Sequence, residues 1–327
     1  MEKIQIASSP HVSRKGFSTR RMMLDVMIGL TPVLLCALWA FRWFAVYQIG
    51  LCVLTCLVTE WGFARMRGRR ASLDDCSALI TGVILGLSLP WSAPWQVPVF
   101  GSVLAIGLGK MAYGGLGFNI FNPAMVGRAF VMLSFATAMG SGAYLVSDAQ
   151  NAPAIVTQAT PMTLLKSGPG AYVQAEKSEA AMRTRFLGVR NGSLGEVNML
   201  AVLLGGVYLL LRKSASWRIP VGMLATVLVL GILSSPTESP LEYGLFYLSN
   251  GAVLFGAFFI ATDPVTSPIT PRGQLYFGVG VGALTMLIRL FSGYPEGVMF
   301  AVLVMNALVP ILNNTTIPKA FGTGEKA

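Results

Sequence analysis

Few residues in this chain have side chains suited to chemistry, so their spacing is informative. Thr160 stands first, in Val156-Thr157-Gln158-Ala159-Thr160-Pro161-Met162, within the longest polar interval of an otherwise apolar chain. A threonine hydroxyl can be esterified by a phosphate. Pro161 donates no backbone hydrogen bond and restricts Thr160 to extended geometry, which turns the hydroxyl outward. A plain turn is the simpler reading of so short a stretch. The second feature is Tyr113–Asn122, where Gly114, Gly115 and Gly117 precede Asn119 and Asn122. Glycine lets backbone approach a ligand closely. Paired amides supply donors and acceptors suited to the polar edge of a ring. The same stretch also reads as a cytoplasmic turn capping the next helix, with Asn122 at the N-cap and Pro123 at the first helical position. The two readings are compatible.

Other chemistries are poorly served. Cys36, Cys52, Cys56 and Cys76 form no Cys-x-x-Cys pair, and His11 is the only histidine. That pattern argues for buried thiols and against a zinc or iron–sulfur site in this chain. No nicotinamide fingerprint is visible. Several ionisable residues fall in or beside apolar runs. Arg128 lies one turn into a helix and Arg289 near the end of another; such charges are functional hypotheses by default. Snorkelling to the cytoplasmic surface is the structural alternative for Arg128. Asp25 and Glu60 fall at cytoplasmic helix ends, where they read as solvated termini or as an ion entry. Asp263, in Thr262-Asp263-Pro264, reads as a cap or loop organiser.

The elements that carry these residues are membrane helices. Mean hydropathy is +0.64, 54% of the 327 residues are apolar and only 12% are charged, against about 25% in soluble domains. Apolar runs of roughly 17–25 residues recur along the chain. They predict an all-α polytopic membrane protein of about ten transmembrane helices. The expected spans are 22–41, 44–64, 76–89, 97–112, 123–140, 194–211, 219–233, 243–261, 274–290 and 295–312. This divides the chain into a cytoplasmic tail (1–21), a first five-helix repeat (22–140) and an external loop with Thr160 (141–193). A second five-helix repeat (194–312) and a cytoplasmic tail (313–327) follow. The short segments rich in Lys and Arg, such as Arg65 to Arg70 and Arg212 to Arg218, then face the cytoplasm. Lys110 counts among those inside charges. The net charge of +10 reflects orientation and anionic lipid rather than nucleic acid. Lys110-Met-Ala-Tyr-Gly114 is echoed by Arg289-Leu-Phe-Ser-Gly293 at a similar place in the second half. Two inverted repeats would set a site near the midplane, at interrupted helices.

Three stretches together carry a family likeness: Tyr113 to Met125, Gln158 to Pro161, and Thr262 to Gln274 with Gly293 to Val298. They resemble the D subunit of Rnf electron-transport complexes, a relative of the B subunit of sodium-pumping NADH:quinone reductase, and the likeness covers nearly the whole chain. The resemblance implies a urea-transporter-like fold and FMN linked through its phosphate to Thr160. It implies a second, non-covalent flavin (riboflavin or FMN) near Asn119 and Asn122. It further implies partner subunits, membrane and peripheral, a flavin transferase during maturation, and a bacterial inner-membrane location. The complex would pass electrons between ferredoxin and NAD while moving Na+ or H+. A solute transporter or channel of the same architecture is the rival reading, and a scaffold for partner subunits is a third.

Overall fold

The computed structural model describes residues 19–68, 73–140, 143–147, 153–157, 162, 165, 168, 192–196, 198–236, 238–294 and 296–317. The helices of the first half are α1 (Thr19–Phe41), α2 (Trp43–Met66), α3 (Ser77–Ser88), α4 (Gln96–Gly107), α5 (Pro123–Ser134) and α6 (Ala136–Gly140). Those of the second half are α7 (Met199–Leu211), α8 (Arg218–Leu233), α9 (Pro240–Ser249), α10 (Val253–Ile260), α11 (Pro271–Phe291) and α12 (Val298–Thr316). Among the described residues, a departure from the all-helical pattern lies within 141–193. There β1 (Ala143–Ser147) pairs antiparallel with β2 (Pro153–Thr157), Ala143 opposite Thr157. β2 carries the β-branched run Ile155-Val156-Thr157, which suits a strand.

Among the described residues, α1, α2, α11 and α12 are each long and apolar enough to cross a membrane; α9 and α10, bent by 63° at a short break, pass as a pair. Large apolar side chains such as Trp39, Trp43, Leu211 and Phe291 are more than 70% exposed. A lipid-facing surface accounts for them, since water would penalise so much exposed apolar area. The chain is a multi-pass helical membrane protein.

Helices approach closely where glycine removes the side chain. A Cβ added to Gly205 on α7 would lie 1.9 Å from the Gly29 carbonyl oxygen on α1. One added to Gly127 on α5 would lie 2.3 Å from the Gly101 carbonyl oxygen on α4. Small residues at crossings are how helices associate in lipid, where apolar burial alone gives no preference for protein over tails.

Several expected spans are interrupted. The fourth ends at Gly107 rather than Ala112, and the fifth breaks at Phe135 between α5 and α6. The sixth starts at Met199, where the Asn198 side chain accepts from the Ala201 N–H at 3.0 Å; residues 194–196 form a separate 3₁₀ turn. The eighth breaks at Asn250–Ala252, with Gly251 at φ 72°. The Pro295 start of the tenth lies outside the described residues, and α12 begins at Val298.

A cleft at the interrupted helices

Helix ends converge on the middle of α12. Asn306 sits near the middle of α12, eight residues and so about 12 Å from its start. Its Oδ1 accepts from the Asn122 backbone N–H at 3.1 Å, and its Nδ2 donates to the Thr266 carbonyl at 2.8 Å. The Asn122 Nδ2 donates to the Ile260 carbonyl at 3.4 Å. So the start of α5, the end of α10 and the Thr262–Thr266 link meet at the level of mid-helix. Irregular backbone at that depth persists only inside protein or beside a cavity. A cleft of ≈ 750 Å³, counted to its open mouth, adjoins it.

The cleft draws walls from both halves of the chain. Met23, Ile84 and Leu116 come from the first half, and Leu209 and Phe259 from the second. Asn119 and Asn122, singled out from the sequence, both line it and are 6% and 4% exposed. The capping reading of Asn122 also holds: its Oδ1 accepts from the Met125 N–H at 3.3 Å, with Pro123 at the first helical position. The Asn119 Oδ1 accepts from the Gly117 N–H, and its Nδ2 donates to the Phe121 carbonyl, both at 3.3 Å. Gly114, Gly115 and Gly117 take φ between 93° and 124°, which the tight turn requires. Each amide therefore holds backbone first and keeps part of its bonding capacity for a ligand. Asp263 organises its loop as read, accepting from the Val265 N–H at 3.2 Å and the Thr266 hydroxyl at 2.9 Å.

Three expectations are overturned. Glu60 is not a solvated helix end. It is fully buried, and both its oxygens accept from the Lys110 ammonium at 2.8 Å. Lys110 is likewise no surface charge: it is 1% exposed, lines the cleft and also reaches the Ser77 hydroxyl. Asp25 is buried as well. Its oxygens accept from the Ser214 hydroxyl at 2.6 Å, the Arg212 Nε at 3.2 Å and the Tyr208 hydroxyl at 3.3 Å. Those partners stand more than 180 residues away, so no local pattern reveals them. Only an acidic residue inside an apolar run signals that a partner must exist.

The two arginines are anchors. Arg128 is 7% exposed and pairs with Glu296, so it does not snorkel. Arg289, 2% exposed, donates to the Tyr247 carbonyl at 2.8 Å and the Asn250 carbonyl at 3.0 Å. It thereby satisfies carbonyls freed where α9 ends, a favoured place for a cation. Thr160 lies outside the described residues. Nearby Met162 is 2% exposed, and its Cγ would lie 3.7 Å from a Cβ added to Gly251. The described residues include no group of three His, Cys, Asp or Glu side chains placed to hold a metal.

The donor set suits a flat, largely apolar ring. The walls are largely Met, Ile, Leu and Phe, joined by the Asn119 and Asn122 amides, several hydroxyls, Lys110 and Asp263. Several of the polar side chains lining the cleft already bond to backbone or to the buried carboxylates Glu60 and Asp25.

Known proteins place the chain in context. A family model described as "NQR2, RnfD, RnfE family" matches residues 5–322. The D subunit of the proton-translocating ferredoxin:NAD(+) oxidoreductase complex of Clostridium ljungdahlii is 40% identical over 325 residues, spanning 97% of this chain and 96% of that protein. Its counterpart in the Na(+)-translocating ferredoxin:NAD(+) oxidoreductase complex of Acetobacterium woodii is 38% identical over 320 residues, spanning 98% and 95%. The D subunit of the ion-translocating oxidoreductase complex of Stutzerimonas stutzeri is 40% identical over 331 residues, spanning 93% and 92%.

Proposed function

Because the chain belongs to the NQR2, RnfD, RnfE family, we propose that it is the D-type membrane subunit of an ion-translocating ferredoxin:NAD+ oxidoreductase complex. It relays electrons through FMN esterified to Thr160 and through a second, non-covalent flavin in the cleft, and it couples that flow to movement of Na+ or H+. The observation that supports a ring in the cleft is the glycine–asparagine turn at membrane depth, facing apolar walls from both halves. Bound there, a flavin supplies one- and two-electron transfer.

The chain's own residues then have definable tasks. Asn122 and Asn306 hold the turn at a set depth, so the cleft keeps its shape while a ligand comes and goes. Asn119 would offer what remains of its amide capacity to a bound flavin. Met23, Ile84 and Phe259 would keep water from it. Lys110 holds a positive charge at the cleft wall, balanced by Glu60. A tethered FMN cannot diffuse away, which suits hopping between fixed centres.

The chain sits in the bacterial inner membrane as two inverted five-helix repeats. Both tails face the cytoplasm and the 141–193 loop faces outward. Its partners are the other membrane and peripheral subunits of the complex, the bilayer and, during maturation, a flavin transferase. The test is flavin content. Protein made with a competent flavin transferase should show fluorescence at its own mass on a denaturing gel. It should also release a second flavin on unfolding. Ile84→Trp, which fills the cleft, should abolish the released flavin and leave the gel band. Protein with neither flavin would favour a solute channel.

A further inference from the structure

Among the described residues, three buried polar atoms in the first half of the chain have no oxygen or nitrogen hydrogen-bond partner. They are Nε2 and Oε1 of Gln48 on α2 and Oγ of Ser102 on α4; both residues are fully buried. The two helices pack against each other. An unmet polar group costs free energy inside a protein, and ordered water is the usual partner where no side chain serves.

Gln48 heads a file. Cys52, Cys56 and Glu60 follow on α2 at intervals of four residues, all fully buried. Side chains at that interval stand about 6 Å apart, a gap that one water bridges. Ser102 lies beside both thiols and so occupies the rung between them. Cys52 packs in the main core, whereas Cys56 packs with Ala78, Ile106 and Met111 in a small separate cluster. The file ends on Glu60, whose partner Lys110 lines the cleft beside Ser77. From Glu60 to Gln48 it runs about 18 Å, more than half of a hydrocarbon layer about 30 Å thick.

We propose that this file is a hydrated proton branch of the cleft, in which about two or three ordered waters lodge among Gln48, Ser102 and the two thiols. Those waters exchange protons with the Glu60–Lys110 pair. Each hop breaks one O–H, N–H or S–H bond on the donor and makes one on its neighbour, so a proton entering at one end releases another further on. A thiol hands its proton to one water as it takes another from the next. Gln48 orients the terminal water through its donor and its acceptor. The branch stands on packing within α2 and α4, whether or not a flavin occupies the cleft.

The experiment uses the purified full-length chain in a Cys36→Ala/Cys76→Ser background, leaving Cys52 and Cys56 as the thiols. On transfer to D2O, the S–H infrared band reports thiol exchange and mass spectrometry reports the α2 backbone amides. Relative to an unfolded chain, the thiols should be protected about 100-fold less than the α2 amides. Gln48→Leu and the smaller change Ser102→Ala should each slow thiol exchange about tenfold and leave amide protection unaltered. Thiols that exchange only as the α2 amides do would mean a dry file and overturn the proposal. Fast exchange that survives both substitutions would overturn it equally.

Discussion

Lys110→Met removes an ammonium that both oxygens of Glu60 accept from at 2.8 Å. Both side chains are 1% exposed, so solvent does not screen the loss. The carboxylate left behind has lost its cation and stays out of bulk solvent, and breaking a buried pair in this way costs about 3–5 kcal/mol. Glu60→Leu leaves the ammonium in the same position and should cost a similar amount. The double variant removes both charges together with their desolvation, and such replacements cost little or even stabilise. The pair should therefore show a coupling of about 3 kcal/mol or more, far beyond the few tenths expected of independent sites. Unfolding midpoints of the four proteins in one detergent, read by loss of the monodisperse peak on heating, measure it. Each single variant should unfold well below the wild type, with the double variant close to it. Simple addition of the two losses would refute the claim that the charges stabilise each other.

Thr160→Ala should insert and fold normally, since one loop hydroxyl changes stability by less than about 0.5 kcal/mol. It should lose denaturation-resistant flavin, with Thr160→Ser retaining part and Thr157→Ala most of it; peptide mass spectrometry over residues 150–166 checks the adduct. Gln174→Cys should react with an impermeant thiol reagent added outside intact cells, while Arg67→Cys should not; the reverse pattern would invert the orientation. Gly205→Val pushes a side chain into the Gly29 carbonyl, which a Cβ alone already meets at 1.9 Å. Overpacking there should cost about 1–3 kcal/mol, read as lower yield of monodisperse protein, whereas Gly50→Ala, which meets nothing within 4 Å, should be neutral. Asn306→Leu deprives the Asn122 N–H and the Thr266 carbonyl of their partner. Released flavin should fall more than gel-resistant flavin, and equal losses of both would sever the link between Asn306 and the cleft.

The sequence by itself determined the class of protein and the positions of its apolar segments. Composition and run length act locally, and lipid demands a helix wherever such a run crosses it. It also marked the Asn122–Pro123 helix start, because a cap depends on neighbours within one turn. Asp263 was legible as a loop organiser for the same reason, its partners lying within three residues. What no local pattern contained were the meetings between distant segments. Lys110 finds Glu60 across fifty positions and Asp25 finds Ser214 across 189, so residues that read as surface charges are buried partners. The depth of the glycine–asparagine turn is set by Asn306, 184 residues away. The break before α10 is held by Arg289, which caps carbonyls of a helix about forty residues earlier. Local sequence decides which backbone groups are left unmet when a helix stops. Only the packed fold decides which distant side chain meets them, and in lipid that choice sets where the cleft opens.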